Sequence, residues 1–331
     1  MACEWSDKIF SVSENNFSDL ALEVFRFQYQ YNPIYHSYVN ALQVKVSRVD
    51  ALEKIPFLPI SFFKTHKVVS GEFDAETIFE SSGTTQLIKS HHYVKDTELY
   101  KKSFITAFEK MYGPVEHWCI IGLLPSYLEK VNSSLVYMVD CLIKLTSHSA
   151  SGFYLNEYDK LSTTLKKLDE KNQKTILIGV TFALLDFADK SPLRLKDTLI
   201  METGGMKGRR EELTREEVHE QLMKAFGKNE IHSEYGMTEL LSQAYSKANG
   251  VFHCPQWMKV MIRDEEDPLI MEKNTGKGIV SGAINIIDLA NVYSCAFIAT
   301  EDVGKLYADG RFEVLGRMDG SDLRGCSLMV D

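Results

Sequence analysis

His117-Trp118-Cys119-Ile120-Ile121-Gly122-Leu123-Leu124 and Lys174-Thr175-Ile176-Leu177-Ile178-Gly179-Val180 are two short, nearly continuous apolar runs. Runs of this length, rich in β-branched residues, read as strands buried on both faces. Helical spacing fills the intervals around them, over Ser134 to Leu145, Tyr158 to Asp169 and Phe182 to Ala188. Thr198 to Met201 is a further short strand. Thr214-Arg215-Glu216-Glu217 opens a helix with a capping-box pattern, which runs to Phe226 and closes at Gly227. Upstream, Thr77 to Glu80 reads as a strand and Val94 to Met111 as a helix stopped by Gly113-Pro114. Strands alternating with helices in this order predict an α/β fold with a mixed, largely parallel sheet flanked by helices.

Outside this stretch the patterning changes. Leu20, Ala21, Val24, Phe27 and Tyr31 are helically spaced over Phe17 to Tyr31, and Asn32-Pro33 breaks the run. Ile55 to Phe63 holds two prolines among apolar residues, so it reads as an extended stretch packed against the main domain. The last third is β-rich. Ile279 to Leu289 is one strand, and Lys305 to Tyr307 and Phe312 to Leu315 flank an Asp309-Gly310 turn as a hairpin. The expected organisation is a helical N-terminal segment, 1–75, on a core of 76–331, the whole forming one structural unit.

Composition narrows the function classes. The chain has 331 residues, with Lys plus Arg 37 against Asp plus Glu 46, a formal charge of −9. That balance argues against a partner bound through nucleic-acid phosphates. A hydrophobic fraction of 44% and a charged fraction of 25% suit a globular core rather than a disordered or fibrous chain. No run of apolar residues is long enough for a membrane-spanning helix, and Met1 to Asp7 lacks the pattern of a secretory signal, so a cytoplasmic protein is expected. Cysteines at 3, 119, 141, 254, 295 and 326 form no C-x-x-C pair and read as reduced thiols rather than as disulfides or zinc ligands.

Three segments carry chemistry. Ser81-Ser82-Gly83-Thr84-Thr85 places hydroxyls around a glycine, after a strand and before a helix. Successive backbone N–H groups and hydroxyls of this kind can cradle phosphate oxygens, although Ser/Thr-rich stretches are as a rule plain turns. The spacing is not that of a Walker A loop. In Glu234-Tyr235-Gly236-Met237-Thr238-Glu239, Tyr235 offers a flat face to a base, Thr238 a hydroxyl to a phosphate and Glu239 a carboxylate to Mg²⁺. A helix start explains the same residues equally well. In the third segment, Asp302 can accept ribose hydroxyl bonds and Arg317 can pair with ribose or phosphate oxygens; a polar hairpin with surface ion pairs is the plainer alternative. His91 and His92 are adjacent, so their side chains point in different directions, and no i, i+4 partner suggests zinc.

Together and in this order, the three segments resemble the adenylate-forming superfamily of acyl-CoA synthetases, luciferases and adenylation domains. Its signatures are S-S-G-T-T-G-x-P-K, Y-G-x-T-E and T-G-D … G-R-x-D-D. The resemblance implies the N-terminal-domain fold of those enzymes with a β-rich C-terminal part. It implies ATP and Mg²⁺ as cofactors, and it sets Gly204 and Gly205 against the adenine. Within the superfamily the chain looks like the LuxE acyl-protein synthetases. This rests on Ile55 to Lys64, Ser81 to Thr85, Ser90 to Asp96 with Leu99-Tyr100, and Arg324-Gly325-Cys326-Ser327-Leu328. Departures from the wider signatures are Gln86 for glycine, Ile88 for proline, Glu301 for the glycine of T-G-D and Gly320 for the last aspartate. Larger members continue into a small mobile domain with an adenylation lysine. The chain ends at Asp331 without it, so another cation is expected to do that lysine's work.

The resemblance implies activation of a carboxylic acid, chiefly a fatty acid, to an acyl-adenylate. The acyl group then passes to Cys326 and on to a protein partner such as an acyl-protein reductase. Ser81, Ser82, Gly83, Thr84 and Thr85 would hold phosphates and Lys89 would add charge. Thr238 would touch the α-phosphate, Glu239 would hold Mg²⁺, Tyr235 and Gly236 would flank the nucleotide, and Asp302 and Arg317 would take the ribose. Arg324, two residues from Cys326, would lower its thiol pKa. A CoA or amine ligase of the phenylacetate-CoA ligase type and a non-catalytic nucleotide-binding relative are the competing expectations.

Overall fold

The expected alternation of strands and helices is present in the computed structural model, which describes residues 2–81, 88–124, 132–155, 157–204, 213–272 and 278–318. The chain divides into two compact units. One holds the described residues of 1–104, 237–243 and 253–318; the other holds those of 105–236 and 244–252.

The second unit is built on a sheet whose strands run in the order Gly152–Phe153, Cys119–Leu123, Thr175–Val180, Thr198–Thr203, His232–Tyr235 and Ala244–Ser246. The first five are parallel and the last is antiparallel. Cys119–Leu123 and Thr175–Val180 are buried at every position, which explains their continuous apolar sequence. The helices Ser134–Thr146, Tyr158–Glu170, Thr181–Lys190 and Arg215–Phe226 fall where the periodicity sets them. The Thr214 capping box is formed, with Glu217 reaching back to the Thr214 backbone, and Gly227 closes the helix in the left-handed region.

The first unit carries an antiparallel sheet of Met258–Arg263, Val280–Asp288, Phe297–Leu306 and Phe312–Arg317. Its last two strands form the expected hairpin around Asp309-Gly310. Leu58–Pro59 pairs in parallel with Phe297–Leu306, so part of the proline-rich stretch is extended as expected. Phe62–Thr65, however, is a helical turn, because the two prolines lie before it and leave its hydrogen bonds intact. Asn32-Pro33 ends the helix Phe17–Tyr31 but also opens a second one, Pro33–Ala41. The Asn32 side chain accepts from the Tyr35 N–H, and Pro33 occupies the first turn, where no amide proton is needed.

The helix expected from Val94 begins later, at Thr97. Val94 closes a strand, His91–Val94, and the Asp96 carboxylate caps the helix by accepting from the N–H groups of Glu98 at 2.9 Å and Leu99 at 3.2 Å. The strand His91–Val94 pairs antiparallel with Thr77–Glu80. Ser81 therefore starts a hairpin connection rather than the strand-to-helix turn read from the sequence.

One close approach fixes the C-terminal sheet. A β-carbon at Gly304 would lie 2.2 Å from the Glu313 carbonyl oxygen across the hairpin and 2.6 Å from the Ile284 side chain. Both strands would have to move to admit it. Gly304→Ala is expected to destabilise the protein by about 2 kcal/mol or more, measured as a lowered midpoint in urea denaturation with an unchanged slope.

Candidate functional site

In the first unit the base of the Ser81 loop is a small polar clasp. The Ser81 N–H donates to the Ser90 carbonyl at 3.1 Å, and the Ser90 N–H donates to Ser81 Oγ at 2.9 Å. Next to it Lys89 Nζ pairs with Glu80 Oε2 at 2.9 Å, with half of the lysine side chain exposed. Lys89 thus borders the loop, and its charge is answered by Glu80. Ser90 Oγ is buried with no hydrogen-bond partner among the described residues, an unmet polar atom at the foot of a loop proposed to grip phosphates. Ser82, Gly83, Thr84 and Thr85 lie outside the described residues.

Asp302 and Arg317 face each other in register across adjacent strands. Arg317 Nε lies 3.5 Å from Asp302 Oδ1, and its Nη1 lies 3.3 Å from Glu301 Oε2. Glu301, which departs from the wider signature, therefore anchors the arginine. The strand beneath is pinned by Arg263, a buried guanidinium that donates to the carbonyls of Ile284 at 2.8 Å and Thr300 at 2.6 Å.

Thr238 and Glu239 occupy a turn whose backbone is held by distant side chains. His92 Nδ1 lies 2.8 Å from the Thr238 carbonyl oxygen, and Nε2 lies 2.9 Å from Asn291 Oδ1. Asn291 Nδ2 donates to the Glu239 carbonyl at 2.7 Å and to the Cys295 carbonyl at 2.9 Å. Asp288 accepts from the Leu241 N–H at 2.8 Å and the Ser242 hydroxyl at 2.5 Å. Glu239, His92, Asp288 and Asn291 are all buried. Burial pushes the Asp288 carboxyl up to about 6 against those hydrogen bonds, and it lowers the His92 ring against its bonds to Thr238 and Asn291 and the Glu239 charge. As adjacent strand residues, His91 and His92 point apart: His92 is buried and His91 is partly exposed.

The donor set suits Mg²⁺. That ion is commonly held by one or two carboxylates with nucleotide phosphates completing its shell, and Glu239 supplies one hard oxygen donor group. Among the described residues no group of three or more His, Cys, Asp or Glu gathers as an all-protein metal site.

In the second unit, Gly204 ends the strand Thr198–Thr203 at φ +65°, and its carbonyl accepts from the Thr181 hydroxyl at 2.9 Å. Tyr235 ends the neighbouring strand and is buried, while Gly236 after it is exposed. Both therefore sit at the carboxyl ends of parallel strands, where open α/β sheets bind ligands. Gly205 lies outside the described residues, as does Cys326.

Two carboxylates given no role in the sequence reading, Glu202 and Glu234, lie beside them. Register sets Glu202 opposite Ser233 and Thr203 opposite Glu234, so the two glutamates occupy opposite faces of the sheet. Glu202 Oε1 lies 3.6 Å from His219 Nε2 and 3.9 Å from Arg215 Nε. Burial raises its pKa, but the His219 bond and the Arg215 charge outweigh that and hold it below the usual range. Glu234 accepts from the Thr203 hydroxyl, and burial pushes its carboxyl up to about 7. Burial drives Cys295 up to about 12 and raises Cys119 as well.

A family model described as "Acyl-protein synthetase, LuxE" matches residues 4–331. No curated protein sequence matches the chain. Among solved structures, a 2-hydroxyisobutyryl-CoA ligase in complex with 2-HIB-AMP aligns with a TM-score of 0.62 at 10% identity, covering 94% of this chain and 69% of that one. ATP-bound MatB from Rhodopseudomonas palustris aligns with a TM-score of 0.56 at 16% identity, over 75% of this chain; the chain spans 49% of that protein's length. O-succinylbenzoate coenzyme A synthetase from Bacillus subtilis, in complex with ATP and magnesium, aligns with a TM-score of 0.50 at 17% identity, over 76% and 53% of the two chains. At these identities the likeness is one of fold, and the fold is that of adenylate-forming enzymes.

The Glu234 carboxyl gives a pH signature. Its folded-state pKa lies above its unfolded one, so the folded state binds more protons and stability falls as pH rises from about 4.5 to about 7. Glu234→Gln is expected to raise the melting temperature relative to wild type at pH 8 and to leave it nearly unchanged at pH 4, measured by differential scanning calorimetry.

Proposed function

The chain belongs to the LuxE acyl-protein synthetase family, and from that membership we propose that it activates a fatty acid with ATP and carries the acyl group as a thioester to a protein acceptor. The match of the family model over residues 4–331 is the observation that carries this reading.

In the first step a carboxylate oxygen attacks the α-phosphorus of ATP. A C–O–P linkage forms, the bond to the bridging oxygen breaks and pyrophosphate leaves. Two anions must approach, so donors and positive charge have to be in place beforehand. The loop of Ser81, Ser82, Gly83, Thr84 and Thr85 donates to the β- and γ-phosphates, with Lys89 exchanging its Glu80 partner for phosphate. Thr238 donates to the α-phosphate, Asp302 accepts from the ribose hydroxyls, and Arg317 braces Asp302. Gly204, Gly205, Tyr235 and Gly236 are assigned to the nucleotide from the family's motifs. Bound through Glu239, Mg²⁺ would neutralise charge on the phosphates. In the second step the Cys326 thiolate attacks the acyl carbon. The C–S bond forms, the C–O bond to AMP breaks and AMP leaves. The acyl group then passes to a nucleophile of an acceptor such as an acyl-protein reductase; the C–S bond breaks and the Cys326 thiolate leaves.

Carboxylate-dependent ATP–pyrophosphate exchange tests the first step. Glu239→Gln is expected to lower the exchange rate by roughly a hundredfold. Incubation with radiolabelled fatty acid and ATP, without CoA, tests the second. Wild type is expected to become labelled, whereas Cys326→Ser stays unlabelled while its pyrophosphate exchange persists. Labelling of Cys326→Ser equal to wild type would remove that residue from the scheme, and labelling that requires CoA would favour a CoA ligase.

A further inference from the structure

The turn around Glu239 is shaped from outside itself. Its backbone makes one short-range bond, Leu240 N–H to Met237 carbonyl at 3.2 Å. The neighbouring carbonyls of Thr238 and Glu239 and the Leu241 N–H go instead to the side chains of His92, Asn291 and Asp288. Buried backbone groups require partners, so a turn satisfied by side chains takes the one conformation those side chains allow. The orientation of the Asn291 amide is fixed, because its nitrogen meets two carbonyls, of Glu239 and Cys295, and its oxygen is left to face His92. His92, through Nδ1, and Asn291, through its amide nitrogen, thus each hold one of two consecutive carbonyls, the second of which belongs to Glu239 itself.

We propose that His92 and Asn291 are positioning residues that set the Thr238–Glu239 turn, and with it the Glu239 carboxylate, for magnesium–nucleotide binding. The proposal rests on the assignment of Glu239 to the metal. Neither residue touches the nucleotide in this scheme; both act through the turn. Asp288 extends the same support by holding Leu241 and Ser242, and Trp257 Nε1 lies 3.0 Å from the Ser242 hydroxyl, tying the turn to the core of its unit.

The test is calorimetric titration of magnesium–ATP into the full chain, with the melting temperature recorded for every variant. His92→Phe and Asn291→Leu are each expected to weaken magnesium–ATP binding by roughly tenfold or more, since small misplacements of a binding group carry penalties of this order. Cys295→Ala removes a buried group from the same neighbourhood without removing a bond to the turn. It is expected to lower the melting temperature and leave the affinity unchanged. His92→Asn, which can still donate to the Thr238 carbonyl, is expected to recover part of the affinity, and Asn291→Leu carries the test if His92→Phe does not fold. The double variant His92→Phe with Glu239→Gln is expected to bind no more weakly than Glu239→Gln alone, because residues acting through one another are not additive. If Glu239→Gln loses affinity while the His92 and Asn291 variants lose only thermal stability, or if the double variant is additive, the positioning role is overturned and the metal assignment stands. If Glu239→Gln binds as wild type does, the metal assignment fails and the positioning role falls with it.

Discussion

The irregular stretch from Leu289 to Ala296 has to bury its backbone without the help of a sheet or a long helix, and the first unit is arranged around meeting that demand. Gln28, on the helix Phe17–Tyr31, donates to the carbonyls of Val292 at 2.8 Å and Asn291 at 3.1 Å and accepts from the Ala296 N–H at 2.9 Å. Asn32 and Ser70 both donate to the Ser294 carbonyl, at 2.9 Å and 2.6 Å, and the Ser294 hydroxyl donates to the Val68 carbonyl. Once fixed in this way, the stretch presents Asn291, and the strand before it Asp288, to the turn that carries Thr238 and Glu239. Buried polar groups left unmade are costly, so each of these bonds constrains its neighbours as well as its own partner. The N-terminal helices therefore reach the candidate chemistry through hydrogen bonds at second hand, as well as by covering apolar surface.

The candidate residues are supported by two kinds of electrostatics. In the first unit, charges meet their opposites, Asp302 and Glu301 with Arg317 and Glu80 with Lys89, and these contacts keep oxygens and nitrogens at fixed places. In the second unit, two carboxylates are buried on neighbouring inner strands: one is held ionised by His219 and Arg215, and the other is driven toward its neutral form. A difference in environment alone separates two glutamates on neighbouring strands.

The architecture was largely legible because it rests on periodicity. Cys119–Leu123 and Thr175–Val180 are almost wholly apolar since both faces are covered, and the Thr214 cap and the Asp309-Gly310 turn are local chemistry that needs no tertiary help. The strand His232–Tyr235 escaped notice because it is polar in sequence yet buried at every position, with Glu234, Ser233 and His232 Nδ1 met by Thr203, His219 and Tyr112 from elsewhere in the chain. The same reason hid Asn291 and Asp288, whose role appears only when residues far apart in sequence are brought together. Ser81, Lys89, Glu239, Asp302 and Arg317 could be named from motif resemblance, but their immediate partners could not. The pairing of Lys89 with Glu80, for example, follows from an antiparallel register that the apolar pattern of Thr77–Glu80 does not reveal.

The interleaving of the two units along the chain bears on how the protein is made. Gln28 and Asn32 leave the ribosome early, but Asn291 to Ala296, which they hold, follow only after the intervening stretch of 105–236 has been synthesised. At bacterial or eukaryotic elongation speeds that stretch alone takes on the order of ten seconds. During that interval the apolar faces of the first helices lack much of their final cover, so the nascent chain is a natural client for factors that shield emerging hydrophobic surface.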